Sequence, residues 1–459
     1  MTLTKSNSIE MNIPKDPYNF IYFMIFFLGL SGHLPWNAVL TAQPYFKARL
    51  ADSSMGSEFT AHFAIIFKAL KLAVFTAVSI AGIRINNKLW VGGSAIGNVL
   101  VFGIFTSMVQ QSETVLSANS FYTITLFLVI AAGLFLALFE CGMYSILGTF
   151  PSHLTQSFMA GNAIGGILAA LNLIINYYSA SSNIYSSTKT YFIISTLVFL
   201  LSAISFIVFL CTDYCKYYQK RLALYTVISQ VSPQSTTTGT AKKLEESRSN
   251  SFEPKELLRK QTNNKIESRC FGDSIDLIRK LWSSNLALFI VGFVNLTIFP
   301  ALVSVTESTG AKLPNASAFQ RDLFVPLAFL IVSAADFIGK MLLSFEFVRK
   351  MDNLPFPAMS ISRILLIPLF LLGNIHIKGR PLIFPAALAS DTIFFSLLTF
   401  AFISGSYIST IIMVTAPKKL DITEQSRATV LLCSAGLLGV FSGSVFSLFL
   451  KLFLRLFTQ

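Results

Sequence analysis

The sequence predicts an all-α integral membrane protein with eleven transmembrane helices. Three observations carry that prediction. The 459 residues are 53 % hydrophobic and only 12 % charged, with a mean hydropathy of +0.64; a soluble domain carries about 25 % charged residues. Eleven apolar runs approach or exceed the roughly 20 residues that a helix needs to cross the hydrocarbon layer. Most of the remaining charges fall between these runs. The net charge of +13 and pI near 9.5 therefore do not describe a nucleic-acid-binding surface, because the basic residues form no patch on a soluble domain. No nucleic acid is expected as a partner; the bilayer is.

Taken in order, residues 1–18 form a polar N-terminus without the charged n-region and cleavage site of a signal peptide. The runs at 19–46, 61–83, 89–110, 121–147, 158–180 and 189–211 make an N-terminal bundle (19–211) of six helices. Residues 212–283 form a linker. The runs at 284–305, 323–347, 354–373, 382–413 and 425–457 make a C-terminal bundle (284–459) of five. Several runs exceed the bilayer thickness, and Pro35, Pro44 and Pro385 are candidate bend points, because proline removes a helix hydrogen bond.

The linker holds thirteen Lys and Arg residues. Its middle, 229–264, is rich in Ser, Thr, Gln, Lys and Glu and cannot bury enough apolar surface to order itself. Residues 273–282 read as a short amphipathic helix on the membrane surface, and the basic stretch before Ser251 as a phosphosite or a merely solvated linker. A long basic loop belongs in the cytoplasm, which places the N-terminus inside and, with an odd span count, the C-terminus outside. Asn315, in the sequon Asn315-Ala-Ser317, is then a glycosylation candidate on the outer side; the Asn295 sequon lies within a span. The five cysteines supply no extracellular disulfide framework, and no metal or cofactor set is evident.

Polar residues inside the runs mark the function. Asp336 and Lys340 lie one turn apart within an otherwise apolar stretch, 323–345. Charges at mid-membrane are costly, by about 2.5–3.5 kcal/mol each on insertion scales. At i,i+4 they share a face and partly neutralise each other. This points to a pathway for a polar solute.

The first run contains Gly29, His33 and the sequence Leu34-Pro35-Trp36-Asn37. The fourth and fifth contain Glu140, Pro151, Met159, Gly161, Gly165 and Gly166. The seventh has Phe299 and Pro300, the eighth Asp336, Gly339 and Lys340. The ninth has Arg363 and Pro368, the tenth Gly405, Ser406 and Tyr407 followed by Pro417 and Lys418. In this order, over nearly all of 20–455 apart from the linker, the set resembles the equilibrative nucleoside transporter family (solute carrier family 29). The resemblance implies a major-facilitator-like 6+5 fold with a nucleoside or nucleobase site between the halves, reached from each side in turn as they rock. It implies that Trp36 and Leu40 line the base, with Glu140 hydrogen-bonded to it; His33 and Leu72 are further substrate-binding candidates. It implies that Asp336 and Lys340 face the ribose hydroxyls, with Phe299, Phe329 and Ser333 completing the cavity. The ligand chemistry agrees: a base has an aromatic face to stack on, and a carboxylate can accept from two hydroxyls.

The chain departs from the family pattern in four places. Lys340 stands where Arg is usual, and a lysine lacks the planar fork for bidentate contacts. Glu140 stands where a neutral Gln is common. His33 stands where an apolar residue is common. Lys68 and Lys71, one turn apart near mid-membrane, are unusual there; they are expected to neutralise Glu140 or to touch substrate. Plainer readings stand beside these. Trp36 can be packing, His33 a hydrogen-bonded interior residue, and Asp336–Lys340 a structural ion pair. Arg363 is expected to tie helices together, and the glycines to allow close helix packing.

The function expected is facilitative transport of nucleosides or nucleobases by a monomer, in the plasma membrane before an organelle membrane. The alternative is a proton-coupled transporter using Glu140 or His33. A receptor or intramembrane enzyme is remote: seven-helix receptors do not match eleven runs, HExxH is absent, and no GxxxxGK[ST] loop supports ATP hydrolysis.

Overall fold

The computed structural model describes residues 14, 16–51, 59–81, 86–109, 117–178, 184–231, 267–311, 313–350, 354–373 and 390–456. Every long element among them is a helix. The N-terminal half comprises α1 (Phe20–Thr41), α2 (Gln43–Arg49), α3 (Phe59–Ala81), α4 (Asn87–Val109), α5 (Ala118–Thr149), α6 (Ser152–Tyr178) and α7 (Ile184–Cys211). Then come α8 (Asp213–Val231) and α9 (Glu267–Lys280). The C-terminal half comprises α10 (Trp282–Leu296), α11 (Phe324–Met341), α12 (Phe356–Leu371), α13 (Asp391–Thr415) and α14 (Ile422–Leu456).

Among the described residues, nine helices are long and apolar enough to cross a membrane. The 23-residue α3 and the shorter apolar α12 lie in the second and ninth predicted runs. The chain is thus a multi-pass integral membrane protein. Its outward faces agree: Leu100 on α4, Phe127 on α5, Leu201 and Ile207 on α7 and Phe400 on α13 are exposed, as only a lipid surround makes favourable.

Local chemistry sets the ends. Asp16 receives the free amides of α1, with Oδ1 2.9 Å from the Ile21 nitrogen and Oδ2 3.2 Å from that of Tyr22, which satisfies donors that a helix start leaves open. The predicted run 19–46 is not continuous. It breaks at Ala42 (ψ 5°), and Pro44 opens the first turn of α2, where proline costs no hydrogen bond. Pro35, in contrast, sits inside α1 without ending it. Pro385 and residues 382–389 of the tenth predicted run lie outside the described residues, as do 232–266 of the linker. Within the linker, 213–231 are helical. The surface helix begins earlier than the predicted 273–282, at Glu267, and ends at Lys280; Leu281 separates it from α10.

Glycine permits the two tightest crossings. A Cβ on Gly161 of α6 would run into the Phe26 carbonyl oxygen of α1, and one on Gly439 of α14 into the Phe289 carbonyl oxygen of α10. Backbones that close cannot carry side chains between them. Phenylalanines fill the interior elsewhere, with Phe46, Phe102, Phe105, Phe121 and Phe192 packed inside the N-terminal half and Phe324, Phe370, Phe394 and Phe402 inside the C-terminal half.

The halves meet polar to polar at the end that carries α8 and α9. Ser145 Oγ and Ser426 Oγ are 2.7 Å apart, and Ser79 Oγ and Ser434 Oγ 2.5 Å. Lys418 Nζ donates to the Gly148 and Phe150 carbonyls at 2.8 and 2.6 Å, closing the C-terminus of α5. Gln156 donates to the Lys340 carbonyl at 3.0 Å. Helix α9 adds a clamp: Ser274 Oγ donates to the Ser79 carbonyl (3.1 Å), Arg427 donates to Ser274 Oγ (2.9 Å), and Lys280 pairs with Glu424 (2.8 Å).

Candidate functional site

Between the halves lies a cavity of about 660 Å³. Its lining runs from Met159 and Lys340 in mid-bundle to Gln43, Phe63 and Ser304 toward the end opposite α9. Helices α1, α3, α5 and α6 supply one wall and α10, α11, α13 and α14 the other.

On α1, His33, Trp36 and Leu40 recur at helical spacing and all three line the cavity. Trp36 is held by α3: its ring stacks on Phe63 (centroids 4.9 Å, planes 16° apart) and meets the edge of Phe67 at 5.9 Å. Aromatic pairs of this kind contribute about 0.5–1.5 kcal/mol beyond their area burial.

The two lysines of α3 part company. Lys71 forms an ion pair with Glu140 of α5, whose other carboxylate oxygen lies 3.0 Å from His33 Nδ1. Glu140 is 1 % exposed and is absent from the cavity wall, where Lys71 and His33 stand in front of it. Lys68 instead donates to Ser444 Oγ at 2.8 Å and lies 5.9 Å from the centre of the Trp36 ring.

On the opposite wall, helix geometry is interrupted at 297–302, where Phe299 takes an extended conformation (φ −118°, ψ 133°) before a cis bond to Pro300. The Phe299 ring meets Phe329 of α11 edge to face at 4.5 Å. One helical face of α11 then presents Phe329, Ser333, Asp336 and Lys340 to the cavity. Lys340 donates to Asp336 Oδ2 at 2.6 Å, and Ser406 of α13 donates to Oδ1. The carboxylate is thus oriented on both oxygens, while each oxygen keeps acceptor capacity for a further donor.

Of the residues singled out from sequence, His33, Trp36, Leu40, Lys68, Lys71, Phe299, Phe329, Ser333, Asp336 and Lys340 come together here. Leu72 does not line the cavity. It is the neighbour of Lys71, and the turn of α3 that points Lys71 inward carries it aside. Glu140 reaches the cavity only through Lys71 and His33. Asn315 is exposed, in the loop before α11, whereas Asn295 is a cavity residue that accepts from Arg363 Nη2 at 2.7 Å. Arg363 also donates to the Ala401 carbonyl at 2.7 Å, so it joins α12, α13 and α10.

Sequence reasoning missed several polar lining residues: Asn37, Gln43, Tyr144, Asn162 and Ser304. Asn37 closes the quoted Leu-Pro-Trp-Asn stretch, and Asn162 follows Gly161 directly; adjacency to those motifs was the available signal. Asn37 Nδ2 and Asn162 Oδ1 are buried without a hydrogen-bond partner among the described residues. Such atoms are costly unless something meets them, and a ligand with both donors and acceptors on its edge would.

A family model described as nucleoside transporter matches residues 126–452. Equilibrative nucleoside transporter 2 of Rattus norvegicus is 25 % identical over 464 residues, covering 96 % of this chain and 98 % of that one. The human proteins of types 2 and 1 are each 26 % identical, covering 95 % of this chain and 98 % and 97 % of theirs. Among solved structures, a major facilitator superfamily proton:xylose symporter aligns with a TM-score of 0.53 at 14 % identity, over 94 % of this chain and 88 % of that one. A human organic anion transporter aligns at 0.51 and 12 %, over 94 % and 93 %. The fold is therefore of the major-facilitator kind, and the chain belongs to the nucleoside transporter family, of which the equilibrative nucleoside transporters are members.

Proposed function

We propose that this chain moves nucleosides across a membrane by facilitated diffusion, as a transporter and not an enzyme. The observation that carries the reading is a cavity between two helical halves with an aromatic platform on one wall and an oriented carboxylate on the other, in a chain of this family. The Trp36 platform, with Leu40 beside it, takes the base. Asp336 accepts from the ribose hydroxyls and Lys340 donates to them. Phe299, Phe329 and Ser333 close the sugar end. Asn37 and Asn162 meet polar atoms of the ligand.

The halves are joined at the α9 end and part around the cavity toward the other. With the basic linker in the cytoplasm, this is an outward-facing state, and rocking that opens the Lys418, Ser79 and Ser145 contacts releases substrate inward. The N-terminus is then inside and the C-terminus outside. The plasma membrane is the proposed location, and the single chain, which holds the whole cavity, the working unit.

The test is uptake of radiolabelled nucleosides by purified protein in liposomes with no imposed ion gradient. Saturable uptake supports the reading; absence of uptake across a broad nucleoside and nucleobase panel by folded protein overturns it. The contact of His33 with the Glu140–Lys71 pair favours a second reading, coupling to protons. Accumulation above equilibrium under an imposed pH gradient, abolished in His33→Leu or Glu140→Gln, would establish it.

A further inference from the structure

The cavity holds more positive than negative charge. Lys71 is matched by Glu140 and Lys340 by Asp336, and no carboxylate pairs with Lys68 among the described residues. Its protein acceptor there is Ser444 Oγ, whose own proton goes to the Val440 carbonyl at 2.8 Å. Two N–H groups of the ammonium remain, on a residue that lines the cavity and holds its Nζ over the Trp36 ring, 5.9 Å from the ring centre.

The geometry points to Lys68 as the residue that selects the base: it favours nucleosides whose base carries an exocyclic carbonyl over those with an amine at that position, and most of all bases acidic enough to be anionic. The inference rests on the transport reading above and on Trp36 as the base platform. An ammonium only donates. Held over the Trp36 ring at 5.9 Å from its centre, it meets the edge of a base stacked on that ring. A carbonyl there accepts a charge-assisted hydrogen bond, about twice as strong as a neutral one. An exocyclic amine presents a donor to a donor, and the desolvated ammonium loses its partner. Glu140, the carboxylate on this side, is enclosed by Lys71 and His33 and offers the amine no acceptor.

The experiment is initial-rate uptake by the purified chain in liposomes, using pairs in which an exocyclic carbonyl beside a ring N–H replaces an exocyclic amine beside a bare ring nitrogen: inosine with adenosine, and uridine with cytidine. Xanthosine, whose base ionises most readily, completes the set. The parent chain is expected to favour inosine and uridine by roughly tenfold, the scale of one charge-assisted hydrogen bond, and xanthosine at least as much. Purine riboside, which lacks the group altogether, should fall well below inosine. Lys68→Gln, whose amide both donates and accepts, should bring both ratios near one, and Lys68→Arg should preserve them. Ratios do not depend on the amount of folded protein, and the purine riboside comparison needs no variant. Ratios near or below one in the parent chain overturn the inference, as do ratios unchanged in Lys68→Gln or purine riboside equal to inosine. Uptake of every nucleoside at equal rates defeats this inference alone; uptake of none defeats the transport reading with it.

Discussion

Lys71 of α3, in the cavity wall, forms an ion pair with Glu140 of α5 behind it, with the glutamate 1 % exposed and the lysine 16 %. Glu140 is sealed from water there and depends on Lys71 for its counter-charge. Removing one partner of a buried pair costs about 3–5 kcal/mol, because the remaining charge is stranded. Lys71→Ala and Glu140→Gln are each expected to lower the thermal midpoint in detergent. The double variant should recover part of the loss, with a coupling of about 1–3 kcal/mol. Strictly additive losses would show that the pair is not energetically coupled. The same cycle with Lys68 should show little coupling to Glu140, since Lys68 bonds to Ser444 instead.

Asp336 is the hub of the opposite wall, accepting from Lys340 and from Ser406. Asp336→Asn replaces one acceptor oxygen by a donor and leaves Lys340 without its counter-charge. Transport should fall by more than tenfold while the protein still reaches the membrane. Lys340→Arg keeps the charge and the donors and should cost less, within about threefold, since one charge-assisted bond is re-made and not lost. Parental uptake by Asp336→Asn at equal membrane abundance would remove this residue from the substrate site.

The crossing of α1 and α6 predicts a steric contrast. Gly161→Ala drives a methyl into the Phe26 carbonyl, whereas Gly103→Ala on α4 meets nothing within 4 Å. The first should reduce folded yield sharply. The second should be neutral or mildly stabilising, by about 0.5–1 kcal/mol at most, because alanine favours the helix over glycine. Size-exclusion profiles of the two variants after detergent extraction decide the matter; equal profiles would contradict the close crossing.

The clamp of α9 gives a pH prediction. Its hydrogen bond to Glu424 raises the Lys280 pKa above the ordinary lysine value. A raised value means that the contribution is complete below the unfolded lysine pKa of about 10.4 and fades as pH rises through the folded one. Between pH 6 and about 9 the clamp should therefore be insensitive to pH. Lys280→Ala should cost little, as exposed pairs do, and its effect should shrink with salt. A large midpoint shift for Lys280→Ala at neutral pH would mean that α9 bears more of the inter-half closure than its exposed charges suggest.

Much of this protein is legible in the order of its residues. Runs of about 20 apolar residues have one solution in a bilayer, the helix, because no water is present to satisfy an open backbone. The positions of α1, α5, α7 and α11 follow from that alone, and the polar exceptions, Trp36, Asp336 and Lys340, mark a site by their cost. Tertiary structure decided what depends on rotation and depth. Lys68 and Lys71 stand one turn apart on α3, and nothing in their spacing says that one meets Glu140 while the other meets Ser444, more than 370 residues away in sequence. Leu72 and Lys71 are neighbours, yet about 100° of helix rotation separates them, and only packing against α5 chose which faced the cavity. Glu140 is visible in the sequence as a buried charge but not as one enclosed by two partners. Asn37 and Asn162 became cavity residues only when α1 and α6 crossed at Gly161. A single chain dictates which segments are helices; which side chains share a cavity is settled by the contacts between helices.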